Sequence, residues 1–391
     1  MTSHLPVVGP VEVGPIAHGG HCVARHEGRV IFVRHSLPGE RVLVQLTDTS
    51  QDRFWRGDAV EVLTASDDRV PVRCPIAGPG LCGGCDFQHV DLAGQRRLKA
   101  AVVSEQLRRL AKLEWHGEVE EVVGAATAEG LGWRTRMRYH ADASGHAALR
   151  VHRSNQLVAL PPQGCPISDP QTPRVTGQNW PSGAEVLVAS APSGTALLVD
   201  GQLRAGTADL VERAAGRDWV VSADGFWQVH PQAAETLVGA VLSGIEPRPG
   251  ETAFDLYSGV GLFTGALADA GCEVWSVESN RAAVSCAGRN LADVADRVHL
   301  SAARVEGRLA ALPKRIDLVV LDPPRAGAGR VVISAMLRRH PRALAYVACD
   351  PAALARDLAT ADGLGYHLTS LRAFDLFPMT HHIECVAILQ P

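Results

Sequence analysis

The sequence predicts an α/β protein. A C-terminal Rossmann-like sheet, mainly parallel and ending in an antiparallel hairpin, follows an N-terminal OB-like β-barrel and a small α+β central domain. Three observations carry that expectation. From about Phe226 onward, strand-like runs alternate with helical segments, the pattern of a parallel sheet covered by helices. The first 62 or so residues hold only short β-rich runs parted by turn signals. Between them lies a stretch of mixed texture that opens on a cysteine cluster and a strong helix signal. At 391 residues the chain suits two or three domains, placed here at 1–63, 64–225 and 226–391.

Hydrophobic residues make up 46% and charged residues 20%, which excludes global disorder. A net charge of −4 excludes a protein that coats nucleic acid by bulk charge, while a local basic face stays open. No run of about 18 apolar residues occurs, and the start MTSHLPVVGPVEVG has neither a basic nor an apolar signal region. No membrane partner and a cytoplasmic location are therefore expected. The nine cysteines are uneven, with Cys74, Cys82 and Cys85 crowded together. An odd count with one tight cluster points to metal or catalysis in a reducing compartment.

In the first domain the runs Val11–Val13, Val30–Val33, Arg41–Leu46 and Asp58–Leu63 are separated by His18-Gly19-Gly20, Glu27-Gly28 and Pro38-Gly39. On pattern alone a structural barrel and an oligonucleotide-binding one fit equally. The run GRVIFVRHSLPGERVLVQL resembles the TRAM domain, an RNA-binding barrel, and that resemblance implies RNA contact.

The central domain opens on a helix at about Leu92–Leu113. Leu98, Val102, Leu107, Leu110 and Leu113 supply its apolar stripe, and Arg96, Arg97, Lys99, Arg108, Arg109 and Lys112 make its polar face basic. The helix is expected to pack on the catalytic domain. In WRTRMRYH, Arg134, Arg136 and Arg138 alternate at strand spacing and would share one face. With Trp133 and Tyr139 nearby, that row suits phosphate contact with stacking; a plain solvated sheet face is the alternative. Residues 140–225 read as short strands and loops whose role the pattern does not give.

The C-terminal domain shows strands at Thr252–Leu256, Glu273–Glu278, Val298–Ala302, Ile316–Asp322 and Ala343–Cys349, then Tyr366–Phe377 and Ile383–Leu389 with no helix between. The last pair implies an antiparallel hairpin at one edge. A seven-stranded sheet ending this way is what class I S-adenosylmethionine methyltransferases have. In AFDLYSGVGLFTGALA, Gly259 and Gly261 let the backbone approach a ligand at a helix N-terminus. A dinucleotide fingerprint would place its third glycine one residue earlier than Gly265. Asp255 suits an amino-acid ammonium, and Glu278, closing the next strand, suits ribose hydroxyls. Together they favour S-adenosylmethionine over a nicotinamide.

LVVLDPPRAG puts Asp322 at a strand's carboxyl end, in the crevice where such sheets bind ligands. Amino-group methyltransferases follow Asp/Asn-Pro-Pro with an aromatic ring, and Arg325 stands there instead. Cys349 ends the fifth strand just before Asp350-Pro351 and a helix start, whose dipole is expected to lower the thiol's pKa. In isolation such a cysteine reads as buried structure. Glu384, however, sits in an otherwise apolar strand that should raise its pKa, as suits a proton acceptor. Methylating C5 of uracil needs this pair: a thiolate added at C6 makes C5 nucleophilic, and a base then removes the C5 proton. Cys385 reads as core packing.

GFWQVHPQAAETL, DLYSGVGLFT, LDPPRAG, ACDPAALARDL and DLFPMTHHIE, in this order, resemble the RNA uridine-C5 (5-methyluridine) methyltransferase family. The resemblance is strong over 226–391 and extends over most of the chain. It implies Cys349 as nucleophile and Glu384 as proton acceptor, with Gln228, Tyr257, Gly259, Glu278 and Asp322 binding cofactor or target base. The chain departs from the family at His230, Leu262, Ala348 and Arg304, where Asn, Asn, Ser or Thr, and a polar cofactor ligand are frequent.

The spacing C-x7-C-x2-C at Cys74, Cys82 and Cys85 needs a fourth ligand, for which Cys165 is the best candidate. Spacing alone favours zinc; the resemblance implies a [4Fe-4S] cluster. The RNA-binding residues expected are Arg96, Arg97, Arg134, Arg136 and Arg138. The expected activity is uridine-C5 methylation of structured RNA by a monomer, with 23S rRNA favoured over tRNA. An RNA methyltransferase of other chemistry, at cytosine C5 or an exocyclic amine, and a non-catalytic RNA-binding protein are the alternatives.

Overall fold

The computed structural model describes residues 5–122, 124 and 129–391. Strands Val7–Ala17, His21–His26, Arg29–Arg34, Arg41–Asp48 and Phe54–Thr64 close into a barrel in which the fifth strand lies between the third and fourth. Alternation drives the closure: Cys22, Ala24, Ile31, Val33, Val42 and Val44 point inward, each 2% exposed or less. A second sheet of six antiparallel strands forms the middle of the molecule, with Arg136–Ala141 and Glu185–Ala191 at its centre.

The C-terminal sheet runs, in spatial order, Val298–Ala302, Glu273–Glu278, Thr252–Leu256, Leu318–Leu321, Ala343–Ala348, Glu384–Gln390, His367–Asp375 and Val119–Glu121. Its first five strands are parallel, and Glu384–Gln390 inserts antiparallel between Ala343–Ala348 and His367–Asp375. Both faces are covered at its centre, so Leu318–Leu321 and Ala343–Ala348 are apolar and buried throughout. Ala343, Ala345 and Val347 join one core with helices Ala233–Ile245 and Leu262–Asp269. Leu344, Tyr346 and Ala348 join the other with helices Gly329–Leu337 and Pro351–Asp362.

The hairpin does not form the sheet's edge as expected. Val119–Glu121 pairs in parallel with Ala373–Asp375 and covers it. The core of this layer also reaches back before residue 226, because hairpin Asp209–Ala214/Arg217–Ser222 buries Trp219 and Val221 in it.

The long helix spans Leu92–Gln106 and continues as a π-turn over Leu107–Ala111. Asp91 caps it by accepting from the Gly94 amide. It packs on the catalytic layer as expected, but as a wedge. Leu98 faces the barrel core, while Val103 and Leu107 enter the catalytic core. A helix covered on two sides has no continuous basic face. Lys99 is 2% exposed and donates to Asp375 at 2.6 Å and to the Phe377 carbonyl at 3.0 Å. Among the described residues no helix is long and apolar enough to cross a membrane.

Candidate active site

The parallel strands end together, and their carboxyl ends carry the chemistry. Cys349 follows Ala348 directly, and Asp350 caps the next helix by accepting from the Ala353 amide at 2.7 Å, with Pro351 in its first turn. Across the ladder Ala348 faces Cys385, so one step further along the antiparallel register places Cys349 beside Glu384. Asp322 closes the neighbouring strand Leu318–Leu321. Three chain segments far apart in sequence thus bring a thiol and two carboxyls to one spot.

The thiol's state differs from the sequence expectation. Burial, then the nearby charges of Glu384 and Asp322, push Cys349 up to about 12, while Arg325 opposes them. The helix start does not outweigh these influences. Glu384, 6% exposed, is raised well above the ordinary carboxylate range by burial and by Asp322, with Arg325 again opposing. Both groups therefore rest toward their neutral, protonated forms.

A cavity of about 150 Å³ opens onto Cys349. Arg325, His381, His382 and Ile383 form one wall, Lys99 and Val102 of the long helix a second, and His18, Gly19 and Gly20 of the barrel a third. His18 Nε2 lies 3.0 Å from Asp350 Oδ2. His381 Nδ1 lies 2.5 Å from Asp86 Oδ2, and Arg325 lies 3.2 Å from His382 Nε2. Gly20 has φ +78°, and a Cβ there would sit 2.8 Å from the Cβ of His381, so glycine is required where barrel and catalytic loop meet. Sequence reading missed these barrel and histidine contributions. The run His381-His382 lay inside a quoted motif, whereas His18-Gly19-Gly20 read only as a turn.

The adjoining loop fits S-adenosylmethionine. Asp255 is fully buried and accepts from Thr264 Oγ1 at 2.6 Å, yet its Oδ1 has no partner, as a site for an ammonium group requires. Glu278 is held open by the amides of Gly259 (3.1 Å) and Asn280 (2.6 Å). Gly259 faces open space, while Gly261, at φ +96°, would bring a Cβ within 2.8 Å of Leu291. Tyr257 adopts φ +69° beside this turn, and Gln228 is buried nearby in sequence to Trp227. The Asp322 loop is braced from behind: Asp357 Oδ2 accepts from Ala328, Gly329 and the Tyr346 hydroxyl within 3.1 Å.

The arginines of the expected row have partners within the protein. Arg136 is buried against Glu212 at 2.8 Å, Arg138 pairs with Glu185, and Arg134 turns its Nε to the Arg136 carbonyl. Trp133 and Tyr139 are 0% and 2% exposed, so neither ring is available to a base. Arg96 and Arg97 are likewise paired, with Glu121 and Asp68.

Cys74, Cys82, Cys85 and Cys165 are all free thiols in one buried neighbourhood, close enough that the charge on any one would raise others. Two of the sulfurs accept an N–H, Cys82 from the Gly84 amide and Cys85 from the Gln88 side chain. Among the described residues, however, no three His, Cys, Asp or Glu groups converge tightly enough to hold a metal ion.

The tRNA (uracil-5-)-methyltransferase family matches residues 216–391, and the TRAM domain matches residues 8–60. An uncharacterized RNA methyltransferase of Streptomyces avermitilis is 47% identical, over 97% of this chain and 98% of that one. The 23S rRNA (uracil(1939)-C(5))-methyltransferase RlmD of Shewanella sp. strain ANA-3 is 30% identical, over 97% of this chain and 94% of its own. In architecture, the Pyrococcus abyssi tRNA (uracil-54, C5)-methyltransferase, solved with S-adenosyl-L-homocysteine, superposes with a TM-score of 0.72 at 22% identity, covering 97% and 99% of the two chains. Identity of this extent, on a fold that carries the thiol and carboxyl at adjacent strand ends, shows that the chain belongs to the RNA uracil-C5 methyltransferase family.

Proposed function

We propose that this protein is a monomeric cytoplasmic enzyme that methylates C5 of a uridine in 23S rRNA, using S-adenosylmethionine and a covalent bond from Cys349 to C6. The observation that carries the reading is the register that sets Cys349 beside Glu384 at the mouth of the cofactor loop. The 23S target is supported by the RlmD relative, which aligns over nearly the whole chain.

The residues divide the work. Cys349 gives its proton to solvent and adds as the thiolate to C6, moving the C5=C6 electrons onto C5 and O4. C5 then takes the electrophilic methyl group that a bound sulfonium supplies. Glu384 must first release to solvent the proton that burial makes it hold. As a poorly solvated carboxylate it then removes the C5 proton, and the freed electrons restore C5=C6 and expel the Cys349 thiolate. Asp255 would hold the cofactor's ammonium, Glu278 its ribose, and Gln228, Tyr257 and Asp322 the remaining polar groups and the base. A uridine must leave its stack to reach a cavity this enclosed.

The reading includes a [4Fe-4S] cluster on Cys74, Cys82, Cys85 and Cys165, with zinc as the alternative. The closeness of the four thiols and the N–H donors on Cys82 and Cys85 support it, because such bonds stabilise thiolates. The group would tie the central sheet to the segment before the long helix. Iron and sulfide in anaerobically purified protein are expected; zinc without iron would overturn the cluster.

The test of function uses isotopically methyl-labelled S-adenosylmethionine with separate 23S rRNA and tRNA lacking 5-methyluridine. Labelled 5-methyluridine in the 23S pool is expected. Label in tRNA would move the substrate, and label in 5-methylcytidine or a methylated amine would replace the chemistry.

A further inference from the structure

We infer that Asp86 is a positioning residue for methyl transfer: through His381 it sets the turn that delivers Glu384 to Cys349. This role rests on the function proposed above, in which Glu384 is the base, and adds the residue that places that base.

Glu384 opens its strand, and Asp375 closes the strand before it. The ladder toward the Cys349 strand stops at Ala348 and Cys385, so Glu384 has sheet support only from Phe374. Its placement therefore depends on the turn formed by residues 376–383. That turn makes few bonds of its own. The Thr380 amide and hydroxyl donate to the Phe377 carbonyl at 3.2 and 2.8 Å, and the His382 amide donates to the Thr380 hydroxyl at 3.2 Å. Met379 takes φ +67°, a left-handed backbone that a side chain disfavours. Such a turn keeps its shape only where its surroundings hold it.

Among the described residues, the hydrogen bonds that reach residues 377–381 from outside the turn all come from residues 86–99. The amides of Asp86 and Phe87 both donate to the Met379 carbonyl at 2.9 Å. The Met379 amide donates to Gln95 Oε1 at 2.7 Å, and Lys99 Nζ donates to the Phe377 carbonyl at 3.0 Å. Asp86 Oδ2 accepts from the His381 amide at 3.2 Å and lies 2.5 Å from His381 Nδ1. Asp86 alone thus clips both Met379 and His381. Its other oxygen lies 3.4 Å from Arg34, and the neighbouring Phe87 and Val90 are buried in the barrel core. The turn is accordingly held from outside the catalytic sheet.

His381, His382 and Ile383 line the Cys349 cavity, whereas Asp86 does not. Asp86 therefore acts through the turn and not on the reacting atoms. Addition of Cys349 and transfer of the methyl group use the thiol and the cofactor loop; removal of the C5 proton uses Glu384. A displacement of about 1 Å at that carboxyl would cost the last step about 100-fold.

The test uses the full-length protein and RNA that the wild type methylates. Asp86→Ala should lower kcat about 100-fold while calorimetry finds S-adenosylhomocysteine affinity unchanged. After denaturation it should retain a methylated uridine nucleotide bonded to Cys349, because C5 keeps its proton and the thiolate cannot leave. Asp86→Asn keeps the shape and an acceptor for His381, and should turn over within about tenfold of the wild type. His381→Ala leaves the surroundings of Cys85 intact and should accumulate the same adduct. The double variant Asp86→Ala/His381→Ala should be no slower than the slower single one. Three results would overturn the role: wild-type turnover in Asp86→Ala, loss of adduct and cofactor affinity together with turnover in His381→Ala, or multiplied losses in the double variant. If the wild type forms 5-methyluridine and Asp86→Ala matches it, only the positioning role falls; if the wild type forms none, the proposed function falls.

Discussion

Chemical modification of Cys349 reads the electrostatics of the strand ends directly. Burial, Glu384 and Asp322 together move its thiol from 9.0 to about 12. Three pKa units leave about a thousandfold less thiolate at neutral pH. A more basic thiolate is also more nucleophilic, with a Brønsted slope of about 0.45, which returns roughly 20-fold. Net alkylation by iodoacetamide should therefore run about 50-fold slower than for an unhindered cysteine, before any steric hindrance. The assay is time-resolved peptide mass spectrometry, which separates Cys349 from the other cysteines. The rate should still be climbing above about pH 10.5, where an ordinary thiol has levelled off. Arg325→Ala should slow it further, because that guanidinium is the charge lowering the thiol's pKa. Alkylation at the rate of a reference peptide, or a plateau by about pH 10.5, would refute the electrostatic account.

Other consequences concern the cofactor loop and the wedge helix. Asp255 is pushed up to about 7 by burial and by Glu278, and Asp322 to about 7 by burial and by Asp255. Since a ligand ammonium needs Asp255 ionised, S-adenosylhomocysteine affinity should rise with pH through that range. Calorimetry should find binding about tenfold weaker at roughly pH 6 than at roughly pH 8; a flat profile would count against Asp255. Lys99→Met leaves Asp375 buried without its partner and should cost about 3–5 kcal/mol in urea unfolding. Adding Asp375→Leu should restore most of that loss. Gly261→Ala combines a left-handed φ with a 2.8 Å approach to Leu291 and should weaken S-adenosylhomocysteine binding; unchanged affinity would mean that the turn tolerates a side chain.

The proposed reacting and cofactor-holding groups stand out in the sequence because each sits at the end of an apolar strand, followed for Cys349, Asp255 and Glu278 by a turn or helix start. Cys349, Glu384, Asp255 and Glu278 are legible for that reason. Charge states and pairings were not legible, since they depend on partners distant in the chain. Lys99 meets Asp375, Arg136 meets Glu212, and the Cys349 thiol answers to Glu384 and Asp322. Counting arginines along one segment marked a basic row, yet folding supplied a carboxylate to most of its members. Val119–Glu121 escaped notice because three residues give no measurable period, although they cover the edge of the catalytic sheet.

Covalent catalysis by Cys349 with Glu384 as the base is most directly tested by trapping the intermediate. The Glu384→Gln protein is incubated with S-adenosylmethionine and the RNA that the wild type methylates, then denatured, digested with nuclease and trypsin, and examined by mass spectrometry. A peptide containing Cys349 and carrying a methylated uridine nucleotide is the expected product, and Cys349→Ala should abolish it. Continued turnover by Glu384→Gln, with no nucleotide on Cys349, would contradict the account.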